Sequence, residues 1–215
     1  MAIIVVGGHS RSVGKTSVVA GLISALPERR WTAVKITQFG HGICSVNGED
    51  CGCAESDHTV AISEEKSRAG ETDTSRFLVA GAERSLWVRT KQGHLAEAMP
   101  ALRQRLEGAV NVIIESNSVL KFLRPDLYLS VLDPANNDFK SSAREFLDLA
   151  DAVVLHRNDN LNPQWEGVSA KLFHSKPAFE ISPPAYVTDE LVAWIHGRLK
   201  DSKLTKSSTL NRIVP

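Results

Sequence analysis

The residues with the clearest chemistry lie at the start of the chain, where an apolar run leads into a glycine-containing turn. Residues 3–6 are Ile-Ile-Val-Val, and Gly7 and Gly8 follow them. Gly14-Lys15-Thr16 then precedes an apolar helical pattern. In such a turn, backbone N–H groups and the positive end of the helix dipole converge on one point and bind anions. The pattern therefore predicts a site for nucleotide phosphates.

Separate roles follow for the residues of this turn. The Lys15 ammonium is predicted to reach the outer phosphates, and the Thr16 hydroxyl to bind Mg²⁺, which prefers oxygen ligands. The predicted nucleotide-binding residues of the turn are Gly8, Arg11, Ser12, Val13, Gly14, Lys15, Thr16 and Ser17.

The spacing of the turn is a variant of the common P-loop. Five residues separate Gly8 from Gly14, whereas the common pattern has four between its glycines. His9 stands where the common pattern has its first glycine. An ordinary glycine turn between a strand and a helix is the alternative, but Gly-Lys-Thr in this context favours nucleotide binding.

Two charged residues occur at the ends of other predicted strands. Lys35 lies near the end of strand 31–36 and Glu115 ends strand 110–115. We expect Lys35 to neutralise charge on the phosphates, and Glu115 to act on the Mg²⁺ side or to orient water. The alternatives are a lysine extended along an edge strand and a solvated strand end. The predicted catalytic residues are Lys15, Lys35 and Glu115.

A later strand, 152–155, leads into a loop that contains Arg157 and Asp159. An aspartate there would accept hydrogen bonds from the guanine N1–H and amino groups, with the arginine over the base. Arg157 could equally stack on adenine, and an ordinary turn has similar residues. GTP and ATP thus both stay open as the nucleotide. Asp133, at the end of strand 127–132, is a substrate contact or a turn residue.

The three cysteines of the chain fall within ten positions, which suits a metal site better than a disulfide framework. Thiolates and an imidazole offer a tetrahedral Zn²⁺ site. The alternatives are an iron–sulfur cluster, which usually requires four cysteines, and reduced, unliganded thiols. The predicted zinc ligands are Cys44, Cys51, Cys53 and His58, with His41 nearby.

The overall charge excludes strong long-range attraction to nucleic acid or anionic membranes, because 25 basic residues balance 25 acidic ones. No apolar run approaches the length needed to span a bilayer, and no signal pattern opens the chain. These features predict a cytoplasmic protein without nucleic-acid or membrane partners.

Strand and helix patterns alternate along the chain, which predicts a three-layer α/β fold with a mostly parallel sheet and helices on both faces. We expect one domain over 1–200, an insertion at about 41–71, and a mobile tail over 201–215. The predicted strands are 3–7, 31–36, 85–88, 110–115, 127–132, 152–155 and 178–181, and the predicted helices are 16–26, 74–82, 95–106, 142–149 and 189–199.

Together these segments resemble the deviant P-loop NTPases. The loop from Gly8 to Thr16 is similar to that of dethiobiotin synthetase and the cobyrinic acid amidases. Residues 33–37, and the Asp-Thr-x-Arg block with Ala-Gly-Ala at 73–82, resemble the molybdopterin-guanine dinucleotide biosynthesis protein B (MobB) family. Glu115 matches the acid that ends that family's fourth strand. The resemblance covers roughly residues 1–160.

The resemblance implies a Mg²⁺-dependent nucleotide-binding protein, commonly a homodimer, that hydrolyses GTP slowly in molybdenum cofactor biosynthesis. Its partner would be a molybdopterin-related small molecule or a protein. The chain departs from these families at Ser116-Asn117-Ser118, where they have glycine, and in its cysteine-bearing insertion. Two other functions stay open: a nucleotide-gated metallochaperone or adaptor, and an ATP-dependent ligase of the dethiobiotin synthetase type.

Overall fold

The computed structural model describes residues 1–39, 59–158, 165–169 and 171–204. Within these ranges, eight strands form one sheet. They are β1 Ile3–Gly8, β2 Trp31–Phe39, β3 Val60–Glu64, β4 Arg84–Lys91, β5 Asn111–Glu115, β6 Leu127–Leu132, β7 Ala152–His156 and β8 Ala178–Ile181. The strand order is β3-β4-β2-β5-β1-β6-β7-β8, and all neighbours are parallel except the antiparallel pair of β3 and β4.

Helices cover both faces of this sheet. They are α1 Lys15–Ala25, α2 Asp73–Val79, α3 Leu95–Arg105, α4 Ser141–Arg144, α5 Lys171–His174 and α6 Asp189–Leu204. Leu22 of α1, Phe77 of α2 and Leu191 of α6 share one buried cluster with Ile4. Leu102 of α3 joins a second cluster on the opposite face. The predicted three-layer α/β architecture with a mostly parallel sheet is confirmed.

The central strands are rich in apolar residues because helices bury them from both sides. All six residues of β1 are buried. The chain leaves β1 through α1 towards β2 on one side of the sheet, while β6 pairs with β1 on the other. The carboxyl end of β1 is therefore a topological switch point, where α/β sheets bind ligands.

Three elements differ from the sequence-based expectation. Part of the predicted insertion, Val60–Glu64, is the edge strand β3 of the main sheet. The helix predicted over 142–149 is the short α4 followed by a 3-10 turn, Leu147–Leu149. Helix α6 continues to Leu204, beyond the predicted end. The rest of the insertion before residue 59, and residues 205–215 of the predicted tail, lie outside the described residues.

Across the described ranges, no helix combines the length and the apolar character that crossing a bilayer requires.

Candidate phosphate site

The loop of residues 9–14, called the P-loop here because of its sequence pattern, connects the carboxyl end of β1 to the first turn of α1. The sequence predicted this connection. Gly14 precedes α1 with a φ of 83°, a left-handed conformation that glycine adopts without strain. The ring of Tyr186 packs on this glycine so closely that a Cβ would lie 2.3 Å from the tyrosine Cε1. Ser12 also has a positive φ, of 57°. The loop thus has a tightly constrained backbone next to the helix N-terminus.

Asn117 holds the start of the P-loop from the neighbouring strand end. Its side-chain Nδ2 donates to the Gly8 carbonyl and its Oδ1 accepts from the Gly8 N–H, both at 2.9 Å. At Gly7, a Cβ would lie 2.1 Å from the same Oδ1. Asn117, in the segment where the chain departs from the resembled families, therefore binds the loop directly. Sequence reasoning did not assign it, because the contact joins residues 109 positions apart.

The Lys15 side chain folds back over the loop. Its Nζ donates to the Ser10 carbonyl at 2.6 Å. Burial lowers the pKa of the Lys15 ammonium to about 8, with Glu115 opposing this shift and Lys140 and Lys35 adding to it. A bound phosphate would give this ammonium a negatively charged partner and would favour its charged form.

Thr16, Lys35 and Glu115 contact one another beside the P-loop. The Thr16 hydroxyl donates to Glu115 Oε2 at 2.8 Å, and Lys35 Nζ donates to Glu115 Oε1 at 2.5 Å. Strand register explains the meeting, because Lys35 on β2 lies opposite Glu115 on β5. Burial alone would lower the pKa of Lys35, but Glu115 and Asp73 outweigh it and raise that pKa.

Asp73 completes this group from the first residue of α2. Its carboxylate lies 2.7 Å from Lys35 Nζ. One turn later, Arg76 Nη2 donates to the Ser17 hydroxyl of α1 at 3.0 Å. The Asp-Thr-x-Arg block resembles the MobB family, but the sequence pattern does not by itself place either charged residue at the phosphate site. The block itself was the available signal.

The oxygen atoms at this point fit a hard divalent cation. The Thr16 hydroxyl and the carboxylates of Glu115 and Asp73 all lie within 3.3 Å of one positive charge, the Lys35 ammonium. Hydroxyl and carboxylate oxygens are ligands that Mg²⁺ prefers. With 4% of its side chain exposed, Glu115 needs a cationic partner, since an unpaired buried carboxylate is costly.

On the β6 side of the P-loop, the loop of residues 133–140 packs against His9. His9 is fully buried, and its ring lies 5.2 Å from Phe139 and 5.0 Å from Trp165 between centroids. Burial lowers the pKa of His9 despite its hydrogen bonds. The Asp133 carboxylate accepts from the Ala135 N–H at 3.0 Å. Asp133 thus takes part in a turn, which is one of the two roles that the sequence predicted for it.

The structure also gives the positions of other residues that the sequence predicted to bind nucleotide. Arg11 and Ser12 are exposed in the P-loop, whereas Val13 is buried and its carbonyl lies 3.0 Å from His156 Nε2. Arg157 follows β7 and lies 3.7 Å from Glu180.

Other predicted residues lie outside the described residues: Asp159, His41, Cys44, Cys51, Cys53 and His58. Within the described ranges, no group of three or more His, Cys, Asp or Glu residues could hold a metal ion.

No family model matches the chain, and a search of curated proteins finds no significant match. Among solved structures, HypB from Helicobacter pylori, in complex with nickel, is similar over 98% of this chain and 91% of its own, with 13% identity and a TM-score of 0.47. LpxK from Aquifex aeolicus, in complex with ATP, is similar over 84% of this chain, with 18% identity and a TM-score of 0.47. The match covers 53% of LpxK. Similarity of this degree does not extend to what those proteins bind.

Proposed function

We propose that this protein binds a nucleoside triphosphate with Mg²⁺ and hydrolyses its terminal phosphate. The observation that carries the proposal is the meeting of Thr16, Glu115, Asp73 and Lys35 beside a P-loop whose own lysine is partly buried. Oxygen ligands for a metal and ammonium groups for phosphate are the two components that phosphoryl transfer requires.

The chain's residues would act by position and charge. Backbone N–H groups of the P-loop and the Lys15 ammonium would bind the phosphates. Thr16, Glu115 and Asp73 would hold Mg²⁺, which neutralises phosphate charge when bound. Lys35 would stabilise charge that develops on the transferred group. No covalent intermediate is needed, because ordering the reactants supplies much of the rate enhancement.

We infer that GTP is the preferred nucleotide and that the protein acts as a homodimer in molybdenum cofactor biosynthesis. The support is the sequence: Arg157 and Asp159 in a loop suited to guanine, and the blocks at 33–37 and 73–82 that resemble the MobB family. Asp73 and Arg76 of the second block lie beside Lys35 and Ser17, which fits a functional role for that block. A molybdopterin-related molecule or a protein would be the partner.

A second candidate is a nucleotide-gated metallochaperone or adaptor. The observation in its favour is the cysteine-bearing segment, which follows directly on β2, the strand that carries Lys35. Zn²⁺ bound by Cys44, Cys51, Cys53 and His58 would then be released or transferred on hydrolysis. Zinc that stays bound through many turnovers would argue against this candidate.

Isothermal titration calorimetry with GTP and ATP, each with Mg²⁺ and with excess EDTA, tests the proposal. We expect Mg²⁺-dependent binding of one nucleotide, a strong loss of binding in Lys15→Ala, and slow phosphate release. Metal analysis of the same sample measures bound zinc. A preference for ATP would favour the ligase function, and binding of neither nucleotide by the folded protein would refute the proposal.

A further inference from the structure

The 133–140 loop is fastened to the first residues of the P-loop. The Lys140 N–H donates to the His9 carbonyl at 2.8 Å, and Asn136 Nδ2 donates to the Ser10 hydroxyl at 2.7 Å. Ser10 is also the residue whose carbonyl accepts from Lys15 Nζ. The loop therefore contacts the P-loop where the Lys15 ammonium lies.

His9 adds side-chain contacts to the same loop. Its Nε2 lies 3.2 Å from the Asn136 carbonyl, and the Asp133 N–H donates to its Nδ1 at 3.4 Å. A neutral imidazole with its proton on Nε2 makes both of these contacts, and its Nδ1 also lies 3.5 Å from the Val131 carbonyl. Trp165 donates its indole N–H to the same Asn136 carbonyl at 2.7 Å. A glycine at position 9 would provide none of these ring contacts, so the histidine that departs from the common P-loop pattern adds side-chain contacts that help to hold the 133–140 loop.

The loop brings a further cation to the phosphate site. The Lys140 ammonium lies within electrostatic range of Arg11, Lys15 and Lys35. Partial burial lowers the pKa of Lys140, and Arg11 and Lys35 lower it further, against the opposing Asp138 and Glu115. Like charges brought together in a partly buried site repel one another, and a bound anion relieves that repulsion.

Two sides of β1 thus contribute lysines to one place. Lys35 comes from β2 beyond β5, and Lys140 comes from the loop after β6. Lys35 and Glu115 belong to the group that fits Mg²⁺, next to the outer phosphates, and Lys140 lies within electrostatic range of both. An anion in contact with both lysines would lie at the outer end of a bound nucleotide.

We propose, on the basis of the nucleotide binding proposed above, that Lys140 contacts the terminal phosphate of the bound triphosphate. His9 is its positioning residue, acting through the 133–140 loop. Lys140 then makes the protein distinguish a triphosphate from a diphosphate, because its contact disappears when the terminal phosphate leaves.

The test is the ratio of the dissociation constants for the diphosphate and the triphosphate. The probes are the Mg²⁺ complexes of GDP and of a non-hydrolysable GTP analogue, or the adenine pair if the wild type prefers ATP. We expect Lys140→Gln to weaken the triphosphate analogue by about tenfold or more, since the contact is charge-assisted. The diphosphate should bind close to the wild-type level, and Lys140→Arg should restore part of the ratio.

Lys66→Gln is the matched control, because the Lys66 side chain is 81% exposed and pairs with Glu64. Glu64 lies opposite Leu86 near the start of β4, away from the carboxyl edge of the sheet. A wild type that binds neither nucleotide refutes the proposed function itself. A wild type that binds, with an unchanged ratio in folded Lys140→Gln, overturns the assignment of Lys140 alone. Equal losses for the two probes overturn it as well.

Discussion

At the scale of single residues, Lys15 combines a partly buried position with a task that requires charge. Its pKa is lowered to about 8 by burial, and a bound phosphate favours the ammonium and raises that pKa again. We expect the Lys15 contribution to nucleotide affinity to be constant below about pH 8. Above it, the affinity should fall by up to about tenfold per pH unit, because the free protein loses the Lys15 proton before the complex does. Binding at pH 9 should therefore take up a proton.

Calorimetry at pH 7 and pH 9, in two buffers of different ionisation enthalpy, measures this proton directly. Lys15→Arg is the control, because a guanidinium stays charged throughout this range. Any proton exchange that remains in that variant comes from the nucleotide or from other groups. A wild type with no extra proton uptake at pH 9 would contradict the lowered pKa.

Some residues of the site could be placed from sequence and others could not. Lys15 and Thr16 follow from the motif, and Lys35 and Glu115 from their positions at the ends of strands. Those positions are informative because parallel strands share one functional edge. Asn117 contacts Gly8 across 109 positions, and no local pattern gives such a pairing. Asp73 lies at the start of α2, but the sequence does not tell which helix start packs beside the P-loop.

At the scale of elements, the start of α1 depends on glycine at position 14. Its φ of 83° would cost a side-chain-bearing residue about 1–2 kcal/mol. The contact with Tyr186, at 2.3 Å from a Cβ, would add about 1–3 kcal/mol of overpacking. We expect Gly14→Ala to lower the free energy of unfolding accordingly and to weaken nucleotide binding. Urea unfolding and calorimetry measure the two effects.

Two further variants separate these causes. Adding Tyr186→Ala to Gly14→Ala should recover the packing part and leave the backbone part. Gly197→Ala is the control in α6, where nothing lies within 4 Å of a Cβ, and it should stabilise the protein by up to about 1 kcal/mol. If Gly14→Ala unfolds at the same urea concentration as the wild type, the packing of Tyr186 on the loop is wrong.

The elements differ in how clearly their sequence patterns predict them. Strands β1, β5 and β6 are mostly apolar, since both of their faces are covered. Strand β3 escaped prediction because Val60–Glu64 has only three apolar residues before Ser63 and Glu64, and lies half-buried at the edge. Its antiparallel pairing with β4 depends on a partner distant in sequence. The segment 142–149 has a helical apolar spacing, but the helix ends at Arg144 and a 3-10 turn follows.

At the scale of the whole molecule, the P-loop contacts elements from both halves of the sheet. Asn117 contacts it from the β5 side, and the 133–140 loop from the β6 side. His156 on β7 and Tyr186 after β8 contact its later part at Val13 and Gly14. Several crossovers thus meet at one loop, and nucleotide bound there would be linked to the stability of both halves.

His9 makes this arrangement sensitive to acid. Burial lowers its folded-state pKa below the ordinary 6.5, so the unfolded chain binds a proton at a pH where the folded chain does not. The free energy of unfolding should therefore be highest above about pH 6.5 and fall as the pH decreases towards the folded pKa. Urea unfolding between pH 5 and 8, compared with His9→Gln, isolates this contribution, because glutamine does not titrate and other groups are common to both proteins. The wild type should lose more stability than the variant across this range; parallel curves would show that His9 is not held neutral in the fold.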